Sequence, residues 1–562
     1  MRKVPLLAGV AAIALFLAGQ NATTPKPLDE LIPSGAMLYL EARNLSALVN
    51  DWNASAEKKA WLGSDNYQVF SRSRLYLRLQ QVFEEYSKAT GVAPDMNLLT
   101  SVAGGESAIA IYDISALDFL YVTRLPSARS MQSVLWKARE RFTARAAAGT
   151  PYYARTDPVS RRTAAFAIAG DLLFAATSEE TLTGALGLLS GAPGNTVRRE
   201  PWFEAATRAA TAPGELRMVM NMEKLARNSS FRSYWIQRNV PDLRQYFSAI
   251  DDLRRTPSEV REDRVLLRAE PAPAPDASAV PGLLRLAGNA TLYRAWARPD
   301  PAFVLDLIAA KVLRPGPRGF AEARTAPVVS LDAPLAGGEA DLETRIDGAP
   351  YEAPGAVYRP EALQALLGGN PPRAMLQLQS SRTTADRVFV TNDSTIAIEG
   401  AADWDAAAAR DAISRAIENL YTTSRIGVGW RERRGGATAL WELDGLASIA
   451  VATRGRTLLI SNQAGNIEAV LPLLDGAAPA VTASYAAGYR AAAELENYTR
   501  IMRHIEALQA GGQAPGEPPL FGANIASLAR TLQRVQSAAV LASDDGRSVK
   551  QTVRYTLGSR LQ

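Results

Sequence analysis

AFAIAGDLLFAAT at residues 165–177 and AVATRGRTLLISN at residues 450–462 are the stretches whose reading decides the fold. Each reads as a short apolar strand, a turn at Gly170 or Gly455, and a second apolar strand. Each leads into a helix, Leu182 to Gly191 in one case and Ile467 to Gly476 in the other, at a constant offset of 285 positions without a gap. Gly191 and Gly476 stand where a left-handed residue would end the helix. Thr177-x-x-Glu180 reads as a capping box at the start of the first one.

The likeness extends outward from this core. Ala36-Met-Leu38-Tyr39 opens the first half and Ala290-Thr-Leu292-Tyr293 the second. An amphipathic helix is predicted before each hairpin, with Met131, Val134, Leu135, Ala138 and Phe142 on one face in the first half. In the second half the face is Ala409, Ile413, Ala416, Ile417 and Leu420. Strands around Val265–Ala269 and Val553–Leu557 close the halves. Strands in runs of two or three, followed by helices, predict an α+β class: two tandem diverged copies of a module with antiparallel sheet and helices packed on one face. The expected boundaries are 28–270 for the first module, 271–282 for a Pro/Ala-rich extended linker, and 283–562 for the second module. A loop-rich insertion at 314–372, with a strand near Glu343–Ile346, interrupts the second module.

Residues 1–27 read as an export segment. Met1-Arg2-Lys3 is a basic start, Val4 to Ala18 an uncharged apolar run, and Gly19 to Pro27 a polar, turn-rich stretch. Cleaved signal peptide and uncleaved N-terminal anchor both remain open, because small-x-small cleavage positions are poor and the run is slightly short for a span. Either way the rest of the chain is expected outside the cytoplasm, periplasmic or anchored to the cytoplasmic membrane facing outward.

Composition excludes much chemistry. With 47% hydrophobic and 21% charged residues the chain is globular, and its 562 residues supply enough core without staples. It has no cysteine, which removes disulfides, thiolate nucleophiles and sulfur-ligated metals. Its one histidine, His504, borders the helical stripe Ile501, Ile505 and Leu508 and reads as a helix-flank residue. A net charge of +5 without a clustered basic stripe argues against nucleic acid.

No catalytic motif survives inspection. Ser55-Ala-Glu-Lys58 and Ser64-Asp65-Asn66 match two elements of serine β-lactamases, but they lie too close together and no Lys-Thr-Gly follows. Gly105-Glu-Ser107-Ala-Ile109 lacks the final glycine of a nucleophile elbow, and Gly427-Val-Gly429 lacks the third glycine of a dinucleotide loop. Glu84-Glu85 and Asp251-Asp252 are adjacent and read as solvated faces. No cofactor, metal or catalytic residue is expected.

The segment from Trp52 to Tyr86 is the one singled out for binding. Leu75, Leu79, Val82, Phe83 and Tyr86 form a helical core stripe. Trp61, Tyr67, Arg72 and Arg74 fall outside it, are residue types of binding hot spots, and have no visible counterpart in the second half.

The Ala-x-Leu-Tyr openings, the helix-then-hairpin with Gly170 and Gly455, and the two-copy layout behind an export segment resemble an uncharacterised domain-of-unknown-function family of exported bacterial proteins. The resemblance covers most of the chain beyond residue 27. Its motifs are structural, so it implies no site residues. The expected function is a non-catalytic binding or scaffolding role in the envelope, with an envelope protein as partner. A carrier of a lipid or other apolar ligand is one alternative, and a hydrolase with an unrecognised site is another.

Overall fold

Both quoted hairpins form. Gly170 and Gly455 take φ of +62° and +55° at the turns, a backbone region that side chains disfavour. The pair Ala165↔Ala176 has its counterpart in Ala450↔Ser461, both partners 285 positions further on. The computed structural model describes residues 25–558 apart from 64–66, 68–69, 73, 230–242, 289, 314–357, 384–389, 422–428, 436–437, 445–447, 492–493, 495–496 and 498–534. The export segment to residue 24, Ser64–Asn66, the strand expected near Glu343 and His504 lie outside the described residues.

The chain divides into two compact units, Met1–Ala54 with Ser73–Ile250, and Ser55–Arg72 with Asp251–Gln562. Both are mixed α+β. The first unit holds β1 (Leu38–Ala42), β2 (Ser107–Asp113), β3 (Asp118–Arg124), β4 (Thr143–Ala147), β5 (Thr150–Thr156), β6 (Thr163–Ala169), β7 (Leu172–Ala176) and β8 (Leu216–Asn221). Their antiparallel order is β8-β1-β2-β3-β7-β6-β5-β4. The hairpin of β9 (Tyr246–Arg255) and β10 (Glu259–Arg268) follows, and β9 crosses the border between the units.

The second unit continues with β11 (Leu292–Ala297), β12 (Pro372–Thr383), β13 (Val390–Gly400), β14 (Gly429–Gly435), β15 (Thr438–Asp444), β16 (Ala450–Arg454), β17 (Thr457–Ser461) and β18 (Tyr485–Arg490). Their order is β18-β11-β12-β13-β17-β16-β15-β14. Beyond β18 the sheet runs through β19 (Val535–Asp544) and β20 (Ser548–Leu557) to β10, which pairs with β20 from Glu259↔Thr556 to Leu267↔Ser548. That pairing is why the unit border falls at residue 250, ahead of the Pro/Ala stretch.

Helices cover both faces of the sheet, not one. In the second unit α8 (Pro301–Ile308), α9 (Glu361–Gly369) and α10 (Ala406–Tyr421) pack on Met375, Ile396, Ile398, Val451, Leu458 and Ile460. The alternate residues Leu376, Leu378, Ala397, Ala452 and Leu459 meet α7 (Val280–Leu284) and α11 (Ala464–Val470). Strands apolar at every position bury both faces, and each face requires its own cover. The first unit follows the same rule. Phe166 and Leu173 join Val102, Leu135 and Phe142 on one side. Their neighbours Ala165, Ala167, Leu172 and Phe174 are buried as well, where α5 (Glu179–Leu189) packs on β3, β6 and β7.

Local expectations part company with the structure at four places. The helix over Met131–Phe142 is broken into short turns, Ser127–Ser130, Val134–Lys137 and Arg139–Arg141, and Met131 is exposed. Ser133 restarts the chain there: its hydroxyl donates to the Ser130 carbonyl at 2.6 Å and accepts the Trp136 N–H. The second helix, α10, forms whole and buries Ala409, Ile413, Ala416 and Ile417. Gly191 is left-handed (φ +87°), but Gly476 is extended (φ −70°), because Pro472 ends the α-helix at Val470 and the chain continues as a 3-10 turn. The cap of α5 is Ser178, which accepts from Thr181 N–H. Thr177 instead accepts the Phe119 N–H at 2.9 Å. Last, the Pro/Ala stretch is no free spacer. Val280, Pro281 and Gly282 belong to α7, and the Ala272 N–H bonds the Gly546 carbonyl at 2.8 Å.

Candidate functional site

The Trp52–Tyr86 segment folds as successive helices: α1 (Leu45–Ala54), α2 (Ala56–Leu62) and α3 (Arg74–Thr90), followed by α4 (Met96–Val102). Ser55 caps α2, its hydroxyl accepting the Lys58 backbone N–H at 3.1 Å. The serine and lysine of the Ser-x-x-Lys match thus meet as cap and first turn of a helix. Trp61 lies on the last turn of α2 and keeps 39% of its surface. Its ring meets Tyr67 edge-on at 5.9 Å and Phe70 at 6.1 Å. Leu62 beside it, Lys59 and Arg72 are exposed, and Tyr67 is half-buried.

Of the four singled-out residues, the structure thus groups Trp61 and Tyr67 by ring contact and sets Arg72 on the surface of the same unit. Arg74 opens α3 in the other unit, and its side chain lies outside the described residues. The expected stripe on α3 holds at Val82 but not at Phe83, which is 41% exposed. Trp52, Leu77 and Leu99 are exposed on α1, α3 and α4.

The other candidates are structural. Ser107 is buried on β2, 2.6 Å from the Thr123 hydroxyl, and its own hydroxyl donates to the Gly105 carbonyl. Among the described residues no group of three His, Cys, Asp or Glu side chains is placed to hold a metal. No described helix is long and apolar enough to cross a membrane.

What sequence reasoning missed is a grid of charges across β9, β10 and the paired strands. Arg264 Nε donates to Asp251 at 2.8 Å, Arg254 meets Asp263 at 2.5 Å, Arg268 meets Asp544 at 2.5 Å, and the Thr552 hydroxyl donates to Asp263 at 2.8 Å. Burial raises the Asp251 carboxyl above its usual range against the pull of Arg264. Burial acts the same way on Asp263, but Thr552 and Arg261 outweigh it and hold that carboxyl low. The signal was legible in Glu259-Val-Arg-Glu-Asp-Arg264, a strand whose mid-section is charged on both faces. The pairs join the strands, while the second carboxylate oxygen of Asp251 is buried without a hydrogen-bond partner among the described residues.

Neither a protein-family model nor a curated protein matches the chain. Crystal structures of TP0453 are similar in part. Crystal form IV aligns at 10% identity over 42% of this chain and 79% of that one, with a TM-score of 0.23. Crystal form III aligns at 12% identity over 47% and 87%, with a TM-score of 0.24. At such values the likeness carries no argument about fold or function.

Proposed function

We propose that this protein is exported, stays in the bacterial envelope outside the cytoplasm, and acts there by binding rather than by catalysis. Its contact surface is the turn around α2, with Trp61, Tyr67 and Arg72; Arg74 opens α3 in the other unit and is left out of it. The reading includes two diverged copies of one module, with the binding segment in the sequence of the first, although Ser55–Arg72 belong to the second compact unit. The repeated strand order and the shared hairpin register support the duplication. The basic-apolar-polar run at residues 1–27 supports export.

The observation that carries the binding reading is the exposure of Trp61. A tryptophan that only seals a seam would be buried. This one ends a short helix beside Leu62 and Lys59, with an aromatic edge behind it. Large aromatic surface, exposed and flanked by cations, is what interface hot spots are made of.

The test replaces Trp61 with a photo-crosslinking residue in the full chain, in its own envelope. An adduct with an envelope protein, absent when the same residue stands at exposed Val159, is the expected result. No adduct, or the same adduct from both positions, ends the proposal. Once the partner is in hand, Trp61→Ala should weaken binding by about 2 kcal/mol or more, roughly thirtyfold. Export is tested separately: a reporter active only outside the cytoplasm, fused after Gln562, should lose activity when Met1–Gln20 is deleted. Equal activity with and without that segment would refute it.

A further inference from the structure

The first unit contains an open polar cleft of about 900 Å³. Its walls are Lys26 and Glu30 ahead of β1, the end of α5 with the Gly191–Gly194 loop, the turn Val197–Arg199, and α6 (Pro201–Ala209). Lys26, Arg198, Arg199 and Arg208 line it, against the carboxylates Glu30 and Glu204. Cations therefore outnumber anions on its walls. Gly191 ends α5 in the left-handed region and the Ala192 N–H turns back to the Gly187 carbonyl at 2.9 Å, which fixes the course of the loop that lines the cleft.

Local partners engage only part of this donor set. Arg198 Nη1 meets Asp29 at 3.3 Å and Glu30 at 3.2 Å. Arg208 Nη2 pairs with Glu204 one turn back. Lys26 Nζ donates to the Leu188 carbonyl at 2.8 Å. The exposed Arg199 side chain has no hydrogen-bond or ion-pair partner among the described residues. A guanidinium carries five N–H groups and an ammonium three. Nε and Nη2 of Arg198, Nε and Nη1 of Arg208, the whole Arg199 fork and two Lys26 protons are therefore uncommitted.

We propose that this cleft binds a phosphate-bearing anion, held by Arg199 and Lys26 and by the free edges of Arg198 and Arg208. A tetrahedral phosphate takes donors from several directions, and planar guanidinium forks match its oxygens in pairs. The polar walls suit a hydrophilic ligand rather than an acyl chain. Two sources supply this chemistry, a soluble phosphate ester and a lipid headgroup. Lys26 stands eight residues past Ala18, the end of the apolar run. That chain spans at most about 28 Å, so an uncleaved anchor keeps the cleft within reach of headgroups. The site shares no residue with the Trp61 surface, and the two proposals fail independently.

The full chain in neutral detergent micelles is titrated with inorganic phosphate, glycerol 3-phosphate and phosphatidylglycerol, with diacylglycerol as the phosphate-free control. Saturable binding of at least one phosphate compound is expected, absent for the control. Arg199→Gln should weaken it by about tenfold or more, the usual effect of losing a charge-assisted contact. Arg208→Gln should weaken it too, while both variants melt as the parent does. Binding of the soluble compounds identifies a soluble phosphate ligand, and binding of phosphatidylglycerol alone identifies a headgroup. Absence of saturable binding by all three, or binding unchanged in Arg199→Gln, overturns the proposal.

Discussion

The connection from β1 to β2 and the connection from β11 to β12 hold the same place in two matching strand orders, and they treat apolar side chains in opposite ways. The second buries Val304, Leu305, Ile308, Val312, Leu313, Leu363 and Leu367 against the sheet. The first leaves Trp52, Trp61, Leu62, Leu77, Phe83 and Leu99 exposed on its helices. Among the described residues of the second connection, Phe303 is the large apolar side chain left comparably exposed. The lesson is that one connection completes the core of its unit while the other presents side chains outward.

The comparison predicts unequal costs. The largest effect is expected for Ile308→Ala in the second connection, where the side chain is 1% exposed inside the cluster under α9 and α10. Removing such a group costs about 2–5 kcal/mol through lost burial and the cavity left behind. Denaturant melts measure it, and a cost below about 1 kcal/mol would break the claim that this connection is core.

Next comes Asn370, at the end of the same connection. Its Nδ2 donates to the Ala402 carbonyl at 2.9 Å and its Oδ1 accepts the Ala402 N–H at 2.8 Å. Asn370→Ala leaves both backbone groups of Ala402 without that partner, so about 1–3 kcal/mol is expected in the same melts. Asn370→Asp keeps the acceptor alone and should fall between the two.

How much of this was legible depends on what kind of signal each element sends. The hairpins at Gly170 and Gly455 and the stripe of α10 are local, and local periodicity revealed them. The covering of both faces is legible in the unbroken apolar runs Leu172–Ala176 and Leu458–Ile460, whose adjacent residues must bury opposite faces. The breaks in residues 127–142 depend on Ser130 and Ser133 choosing backbone partners, a competition that apolar spacing does not register. At the site, residue types pointed to Trp61, but exposure is a tertiary property. Phe83 fitted the helical stripe and still faces out. The cleft joins residues near 26 to residues near 199, and no short window of sequence contains both.

A smaller effect, present at neutral pH and lost in acid, is expected in the first connection. Asp95 caps α4, its carboxylate accepting the Leu98 and Asn97 N–H groups at 3.0 and 2.9 Å. The Leu98 bond, most of all, holds this carboxyl below its usual range. A depressed folded value means that the ionised cap contributes fully above the unfolded value of about 3.9. The contribution is lost as pH falls through the lower folded value. The melting-temperature gap between the parent and Asp95→Ala should therefore be constant from pH 7 to pH 5 and close below about pH 4. A gap that persists undiminished into strong acid would show that the carboxylate charge is not what caps the helix.

The smallest effect sharpens the comparison most. Leu77 lies on α3 with 58% of its surface exposed, outside the stripe Leu75, Leu79, Val82 and Tyr86. Leucine and alanine differ little in helix propensity, so the helix itself is indifferent to the exchange. Little apolar surface leaves water at this position, so little transfer free energy is at stake. Leu77→Ala should therefore change stability by less than about 0.5 kcal/mol, as surface substitutions usually do. The same chemical step, removal of a branched aliphatic side chain, is expected to cost several times more at Ile308. If Leu77→Ala instead costs 2 kcal/mol or more, the side chain is covered in solution. The first connection would then be a packing layer like the second, and the contrast that assigns it an outward role would be gone. If the cost is small, the proposed envelope partner supplies the second measurement. A contact at Leu77 makes the variant bind more weakly while it melts unchanged, and that separation of binding from stability distinguishes a presented side chain from a buried one.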